Sequence, residues 1–332
     1  MICTIIGSGT WGSALAQVLA DNNHKVTIYG VDKIEIEDIS QNHKNSKYFG
    51  DEVILDESII ATSNLIEALN ETEVIVLAVP TIAIRSVLKQ IKPYLINKPY
   101  IVSVAKGFDP DTFERMSEVI RSEIPSSLRQ EVVSLIGPGH AEEVILKKLT
   151  CVTSTSIDKK CGEVIQKLFS TPYFRVYVQT DEIGAEYGVA IKNAIAIASG
   201  ISQGIGMGDN AKAALATRGL VEMIRFGTHF GGQISTFMGL TGIGDLMVTC
   251  NSEHSRNFQA GYQIGKANSA IEFLKNNKKT VEGIRTAKII HDIAKEKNIN
   301  MPIIDAVYEV LYEEGNPIDI VYKLMTRELK KE

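Results

Sequence analysis

Residues 3–16 read Cys3-Thr4-Ile5-Ile6-Gly7-Ser8-Gly9-Thr10-Trp11-Gly12-Ser13-Ala14-Leu15-Ala16. An apolar run gives way to three glycines spaced G-x-G-x-x-G, and helix-compatible residues follow. Alone, that spacing is a weak signal. Placed between a strand-like run and a helix, in the first such turn of the chain, it points to a dinucleotide cradle. Gly7 permits the tight turn, Gly9 lets a pyrophosphate approach the backbone, and Gly12 lets helix and sheet pack closely. The helix start then offers unpaired N–H groups and a positive dipole end to the phosphates. The bland alternative is a glycine turn with no ligand.

Working outward, short Val/Ile-rich runs recur at Val26–Tyr29, Ile59–Thr62, Val74–Val79, Tyr100–Val104 and Val132–Ile136, with further runs at Cys151–Ser154 and Phe174–Val178. Helical patterns fall between them at Trp11–Ala20, Leu65–Asn70, Ile82–Ile91, Thr112–Ile120 and Lys160–Phe169. Strands without polar alternation predict a parallel sheet covered on both faces, and the strand–helix alternation predicts right-handed βαβ units. After about residue 180 the strand runs stop. Helical patterns then occupy Ile183–Ser199, Asn210–Phe230, Phe258–Lys266, Arg285–Lys295 and Ala306–Tyr312. The expected organisation is therefore a Rossmann-like, doubly wound α/β domain over 1–180 that binds a dinucleotide. An all-α substrate and catalytic domain follows over 181–332. The Lys275–Lys279 cluster reads as a solvated loop.

With 332 residues, two domains are the natural prior. Charged residues make up 23% and the net charge is −5, which provides no basic field for nucleic acid. No apolar run approaches the ~18–20 residues of a membrane helix. Met1 leads directly into the first strand with no basic n-region, so a cytoplasmic location is expected. Cys3, Cys151, Cys161 and Cys250 are scattered and read as reduced thiols, and the six histidines lack ligand spacing, so no metal is expected.

The chemistry must come from local donors. Lys192 stands in the nearly apolar segment Ile183–Ser199, where Ile183, Tyr187, Ile191 and Ile195 make a helical stripe. Gly188, one turn earlier on the Lys192 face, leaves room for a nicotinamide or substrate beside the ammonium. A buried lysine has a lowered pKa and exchanges protons in carbonyl–alcohol chemistry; a lysine snorkelling to the surface does neither. Lys106 follows the run Tyr100–Val104 and so belongs at the ligand-binding end of the sheet. Gly137-Pro138-Gly139 makes a second turn of backbone donors. Ser255-Arg256-Asn257 gathers hydroxyl, guanidinium and amide into a phosphate-binding triplet. Asp245 either serves a substrate hydroxyl, orients Lys192, or merely caps a helix. Arg256 read alone is a surface ion pair. After the second strand, Asp32 suits a ribose hydroxyl and Lys33 a phosphate, so NAD and NADP both stay open.

Together these segments resemble the bacterial-type NAD(P)+-dependent glycerol-3-phosphate dehydrogenases. The carrying motifs are GSGTWGSALA (7–16), AVP (78–80), AKGF (105–108) and GPGHAEEV (137–144). The second half adds KNAIAIASGISQGIGMGDNAKAALATRGLVEM (192–223), FMGLTGIGDLMVTC (237–250), SRN (255–257) and VEG (281–283). The resemblance runs nearly the full length. It implies hydride transfer between NAD(P)H and dihydroxyacetone phosphate, giving sn-glycerol 3-phosphate for phospholipid synthesis. It assigns Thr10, Trp11, Lys106, Ala141, Arg256, Thr280 and Glu282 to the cofactor, beside the glycine turn. Lys106, Gly137, Gly139, Lys192, Asp245, Ser255, Arg256 and Asn257 go to the phosphorylated triose substrate, with Lys192 as the proton-transfer group and Lys106 adding positive charge.

Three positions depart from the family pattern. Val31 stands where many members carry Arg or His, Gly139 where Ser or Thr is usual, and Thr280 where an apolar residue is usual. The first weakens any grip on a 2′-phosphate, and the second leaves only backbone for a substrate contact. The nearest enzymatic alternative is a β-hydroxyacid dehydrogenase, which lacks use for the 255–257 triplet. A dinucleotide-sensing module without chemistry would not need Lys192, Asp245 and Arg256 together. A scaffolding protein would need none of the donors. The long helices offer apolar faces suited to a homodimer.

Overall fold

Alternate residues of the central strands enter two different cores. In the strand Val74–Leu77, Val74 and Val76 join one apolar cluster while Ile75 and Leu77 join another. Side chains alternate along a strand, so a sheet apolar at every position must be covered on both faces. The first cluster takes in Leu15, Val18 and Leu19 of the helix Thr10–Asp21 and Ile165, Leu168 and Phe169 of the helix Lys159–Phe169. The second takes in Ile84, Leu88 and Ile91 of Thr81–Ile91 and Val119 and Ile120 of Met116–Glu123. Each such side chain, fully buried, contributes about 1.5–3 kcal/mol.

The computed structural model describes residues 1–329. Its eight strands are β1 (Ile2–Ile6), β2 (Lys25–Tyr29), β3 (Ile60–Thr62), β4 (Val74–Leu77), β5 (Tyr100–Ser103), β6 (Val133–Ile136), β7 (Thr150–Thr155) and β8 (Phe174–Gln179). They form one sheet in the order β3-β2-β1-β4-β5-β6-β7-β8. The expected doubly wound sheet and helical second half are both present. Two compact units divide the chain, one of Met1–Glu182 and one beginning at Ile183.

The pairing is parallel except that β7 runs antiparallel to β6, which corrects the all-parallel expectation. Between β6 and β7 the chain spends its residues on the Gly137–Gly139 turn and a helix of only four residues, Ala141–Val144. At 1.5 Å per residue that helix rises about 6 Å, too little to carry the chain back along a strand. The eleven-residue helix Lys159–Phe169 does span that length, and β7 and β8 are parallel.

Several boundaries shift. The helix expected at Thr112–Ile120 begins at Met116. Asp109 accepts bonds from the amides of Asp111 and Thr112, which hold residues 109–112 in a turn. Glu118 then accepts from the Arg115 amide at 3.0 Å and starts the helix there. The helices Lys33–Asn42 and Pro317–Met325 went unread; their signals are the caps Asp32 and Asn316, each accepting from the first turn. Lys275 belongs to the helix Ile271–Asn276, so only the end of the 275–279 cluster is loop.

In the second unit the helix Glu182–Gly204 carries no stripe. Ala185, Val189, Ala190, Ala194, Ala196 and Ile197 are buried along with Tyr187, Ile191 and Ile195, while Ile183 is only half-buried. Such a helix is buried all round. Among the described residues no helix is long and apolar enough to cross a membrane. No group of three or more His, Cys, Asp or Glu among them is placed to hold a metal. All four cysteines are free, and burial pushes the Cys3 and Cys250 thiols up to about 12.

Glu222, on the helix Asp209–His229, is buried and accepts from the amides of Ile303 (2.8 Å) and Ile304 (3.2 Å) at the start of Pro302–Tyr312. Burial raises its pKa from 4.5 to about 7 in spite of those bonds. Folding therefore favours the protonated form. The associated stability is complete below pH 4.5 and is lost as pH rises through 7. The loss is on the order of 3 kcal/mol. Urea unfolding between about pH 5 and 8 should show stability falling with pH, and Glu222→Gln should flatten that slope.

Candidate active site

In the first unit, the glycine turn has the shape a pyrophosphate needs. Gly7 has φ +118°, and a Cβ there would lie 2.5 Å from the Ala78 carbonyl oxygen. A Cβ on Gly12 would lie 2.0 Å from the Gly7 carbonyl oxygen, so the helix can start this close to β1 only with glycine there. Gly9 differs: a Cβ there meets nothing within 4 Å. The backbone at Gly9 therefore faces open space, at the N-cap of Thr10–Asp21, where the amides of Thr10, Trp11 and Gly12 have no intrahelical acceptor. These features fit a dinucleotide phosphate.

Lys106 lies just beyond β5 and Gly137 just beyond the neighbouring parallel strand β6. The Lys106 ammonium donates to the Gly137 carbonyl at 2.6 Å, which ties the two turns together. Gly137 has φ +145°, and a Cβ on Gly139 would come within 3.2 Å of the Trp11 ring. The second turn thus packs on the tryptophan of the first. Ala141 is buried at the start of the helix Ala141–Val144.

In the second unit, Lys192 is 5% exposed and Asp245 1%. The ammonium lies 3.1 Å from Asp245 Oδ1 and donates to the Thr249 hydroxyl at 2.6 Å. Thr249 in turn donates to the Asp245 carbonyl at 2.6 Å. Leaving a lysine charge in such a place is costly unless it is paired and bonded, and here it is both. Asp245 opens the helix Asp245–Asn251 without capping it; its carboxylate points at the lysine instead.

Gly188 does not leave a ligand space, contrary to expectation. A Cβ there would sit 2.4 Å from the Thr241 carbonyl oxygen. The gap is filled by the π-helical turn Leu240–Gly244, which delivers the chain into Asp245.

Ser255 caps the helix Arg256–Ala267, its hydroxyl accepting from the Phe258 amide at 3.2 Å. Arg256 is exposed on the first turn. Asn257 is engaged at both ends: it donates to Asn193 at 2.9 Å and accepts from the Gly283 amide at 2.9 Å. The triplet is thus brought beside the Lys192 helix at Asn193 and beside Glu282, which starts the helix Glu282–Lys297. Thr280 is exposed in the preceding loop. Thr249 and Asn193 were missed in the sequence. Thr249 lies four residues after Asp245, one helical turn on, which is the signal that marks it.

The helices bearing Lys192 and Arg256 meet backbone to backbone. Cβ atoms on Gly200 and Gly204 would lie 2.1 and 2.4 Å from the carbonyl oxygens of Phe258 and Tyr262. Reciprocally, those on Gly261 and Gly265 would lie 2.1 and 2.3 Å from the carbonyls of Ile197 and Ile201.

Against known proteins, residues 2–162 match the family described as NAD-dependent glycerol-3-phosphate dehydrogenase N-terminus, and residues 181–322 match its C-terminus. The chain belongs to this dehydrogenase family. It is 47% identical over 329 residues to a Bacillus thuringiensis protein named glycerol-3-phosphate dehydrogenase [NAD(P)+], covering 99% of this chain and 96% of that one. A crystal structure of glycerol-3-phosphate dehydrogenase from Coxiella burnetii superposes with TM-score 0.90 at 32% identity, covering 98% of each chain. The Saccharomyces cerevisiae structure gives TM-score 0.84 at 26% identity over 98% of this chain and 99% of that one. A D-mandelate dehydrogenase, at 13% identity and TM-score 0.63, shares the fold alone.

Within this dehydrogenase the glycine seam is testable. Gly→Ala inside a helix ordinarily gains up to about 1 kcal/mol. Gly200→Ala should instead lose at least ~2 kcal/mol, because its methyl meets backbone that cannot turn aside. Urea unfolding of the variant reads the sign directly.

Proposed function

We propose that this protein interconverts dihydroxyacetone phosphate and sn-glycerol 3-phosphate with NAD(P)H as hydride source. Its cytoplasmic product would supply phospholipid synthesis. The observation that carries the reading is the buried Lys192 ammonium held by Asp245 and Thr249 in a chain of this family.

Reduced nicotinamide, when bound, supplies a hydride to the ketone carbon. The developing alkoxide then needs a proton, and Lys192 is the group that gives it; in the reverse direction Lys192 takes it back. Asp245 and Thr249 orient the ammonium and hold it in place between turnovers. Arg256, with the open end of its helix, grips the substrate phosphate, and Ser255 and Asn257 shape that end. Binding energy from the phosphate thereby becomes orientation at the carbonyl. In the first unit, Gly7, Gly9, Thr10, Trp11 and Gly12 hold the pyrophosphate, Gly137, Gly139 and Ala141 form the adjoining turn, and Lys106 adds positive charge for bound anions. Thr280 and Glu282 serve the cofactor.

The decisive assay follows oxidation of reduced nicotinamide on addition of dihydroxyacetone phosphate; absence of turnover with either dinucleotide would refute the reading. Lys192→Ala should lower kcat by ~10²–10⁴ while leaving dinucleotide binding intact. Arg256→Ala should act mainly on KM, costing ~1.5–3 kcal/mol in kcat/KM, as expected for a lost charge-assisted contact to the phosphate.

A further inference from the structure

The residues after β2 carry a charge cluster that the chemistry above does not use. Asp32 caps the helix Lys33–Asn42, Oδ1 accepting from the amides of Ile34 and Glu35 at 3.0 and 3.4 Å. Its other oxygen accepts from Lys47 at 3.0 Å. Lys47 also donates to Glu35 at 2.6 Å. Glu35 is buried and further accepts from the hydroxyls of Ser8 (2.5 Å) and Tyr48 (3.0 Å). Ser8 lies inside the glycine turn, and the Asn45 amide holds its carbonyl at 2.7 Å. The cluster is therefore fastened to the phosphate cradle itself.

Charge and shape favour one cofactor here. Two carboxylates share one lysine, and both hold its ammonium, raising its pKa through those hydrogen bonds. Lys47 is thus already occupied, and the three-residue cluster itself carries one excess negative charge, with Lys33 exposed outside it. Val31 and Ile34, 83% and 79% exposed, flank Asp32 with apolar surface. A ribose 2′-hydroxyl can donate to a carboxylate at the end of β2, whereas a 2′-phosphate dianion there meets repulsion and finds no unpaired lysine in the cluster.

We propose that this enzyme prefers NAD(H) to NADP(H), with Asp32 accepting from the ribose 2′-hydroxyl and the Asp32–Glu35–Lys47 cluster repelling a 2′-phosphate. The inference rests on the dehydrogenase reading above. Lys33, exposed beside Asp32, is the rival: a cation that gripped the phosphate would reverse the preference.

Trp11 is the one tryptophan of the chain and sits in the glycine turn. Energy transfer from it to a reduced nicotinamide reports binding without turnover. Titration of the full-length protein with NADH and NADPH at equal ionic strength should give a Kd at least about ten-fold lower for NADH, some 1.4 kcal/mol. Equal or tighter binding of NADPH overturns the preference alone. Failure of both dinucleotides to bind overturns the dehydrogenase reading with it. In Asp32→Ser/Glu35→Gln, which keeps a capping oxygen and leaves one amide oxygen to accept from Ser8 or Tyr48, the ratio should fall to within about three-fold as Lys47 is released. An unchanged ratio in the folded variant overturns the assignment to this cluster. Lys33→Ala should leave the wild-type ratio within about two-fold; selective loss of NADPH binding overturns the inference. If the double variant does not fold, as thermal unfolding would reveal, the wild-type and Lys33→Ala titrations decide.

Discussion

A charged amine in an apolar helix is the constraint around which the second unit is arranged. Lys192 lies on a segment whose neighbours are buried on every side, so its ammonium requires partners supplied from elsewhere in the fold. Asp245 and Thr249 provide them from one face of a short helix. That helix reaches them only because the π-helical turn before it lies flat on Gly188. Breaking such a pair by removing one partner costs far more than the pair contributes net. Its presence is better understood as specification of geometry than as a source of stability.

The first unit follows a different logic. There, a sheet packed on both faces fixes the ends of its parallel strands, and loops at those ends do the binding. Gly7, Ala78, Lys106 and Gly137 follow four neighbouring parallel strands. The contacts among them are backbone contacts or end on backbone: the Gly7 Cα against the Ala78 carbonyl, and the Lys106 ammonium on the Gly137 carbonyl. Main-chain groups cannot be exchanged by mutation, which suits a task common to many dinucleotides. The residues that discriminate, Asp32, Glu35 and Lys47, are side chains on the next turn of structure.

Much of this was legible in the sequence where one physical signal dominated. Val/Ile-rich runs located the eight strands, most clearly where a strand is buried on both faces, as in β4 and β6. The glycine spacing located the cradle, and an isolated lysine in an apolar helix located Lys192. The antiparallel β7 was not legible, since its run of residues looks like its neighbours and only the length of the preceding connection sets its direction. Gly188 was misread because an absent side chain looks the same whether ligand or backbone fills the gap. Thr249 and Asn193 escaped notice as ordinary residues in helices; their importance comes from partners 57 and 64 positions away. Asp32 was ambiguous because Lys33 follows it directly, while Lys47, the cation that pairs with it, lies 15 positions on.

The glycine seam between the Lys192 and Arg256 helices has a mechanical meaning. Four glycines, two on each helix, place carbonyl oxygens where methyl groups would otherwise stand. Such a joint has no compliant layer of side chains, so neither helix can slide along the other by small amounts. The spacing of the two helix backbones is consequently a fixed gauge. Drift elsewhere in the protein could not retune it gradually; only a concerted shift of all four glycines by a whole helical turn would reset the span.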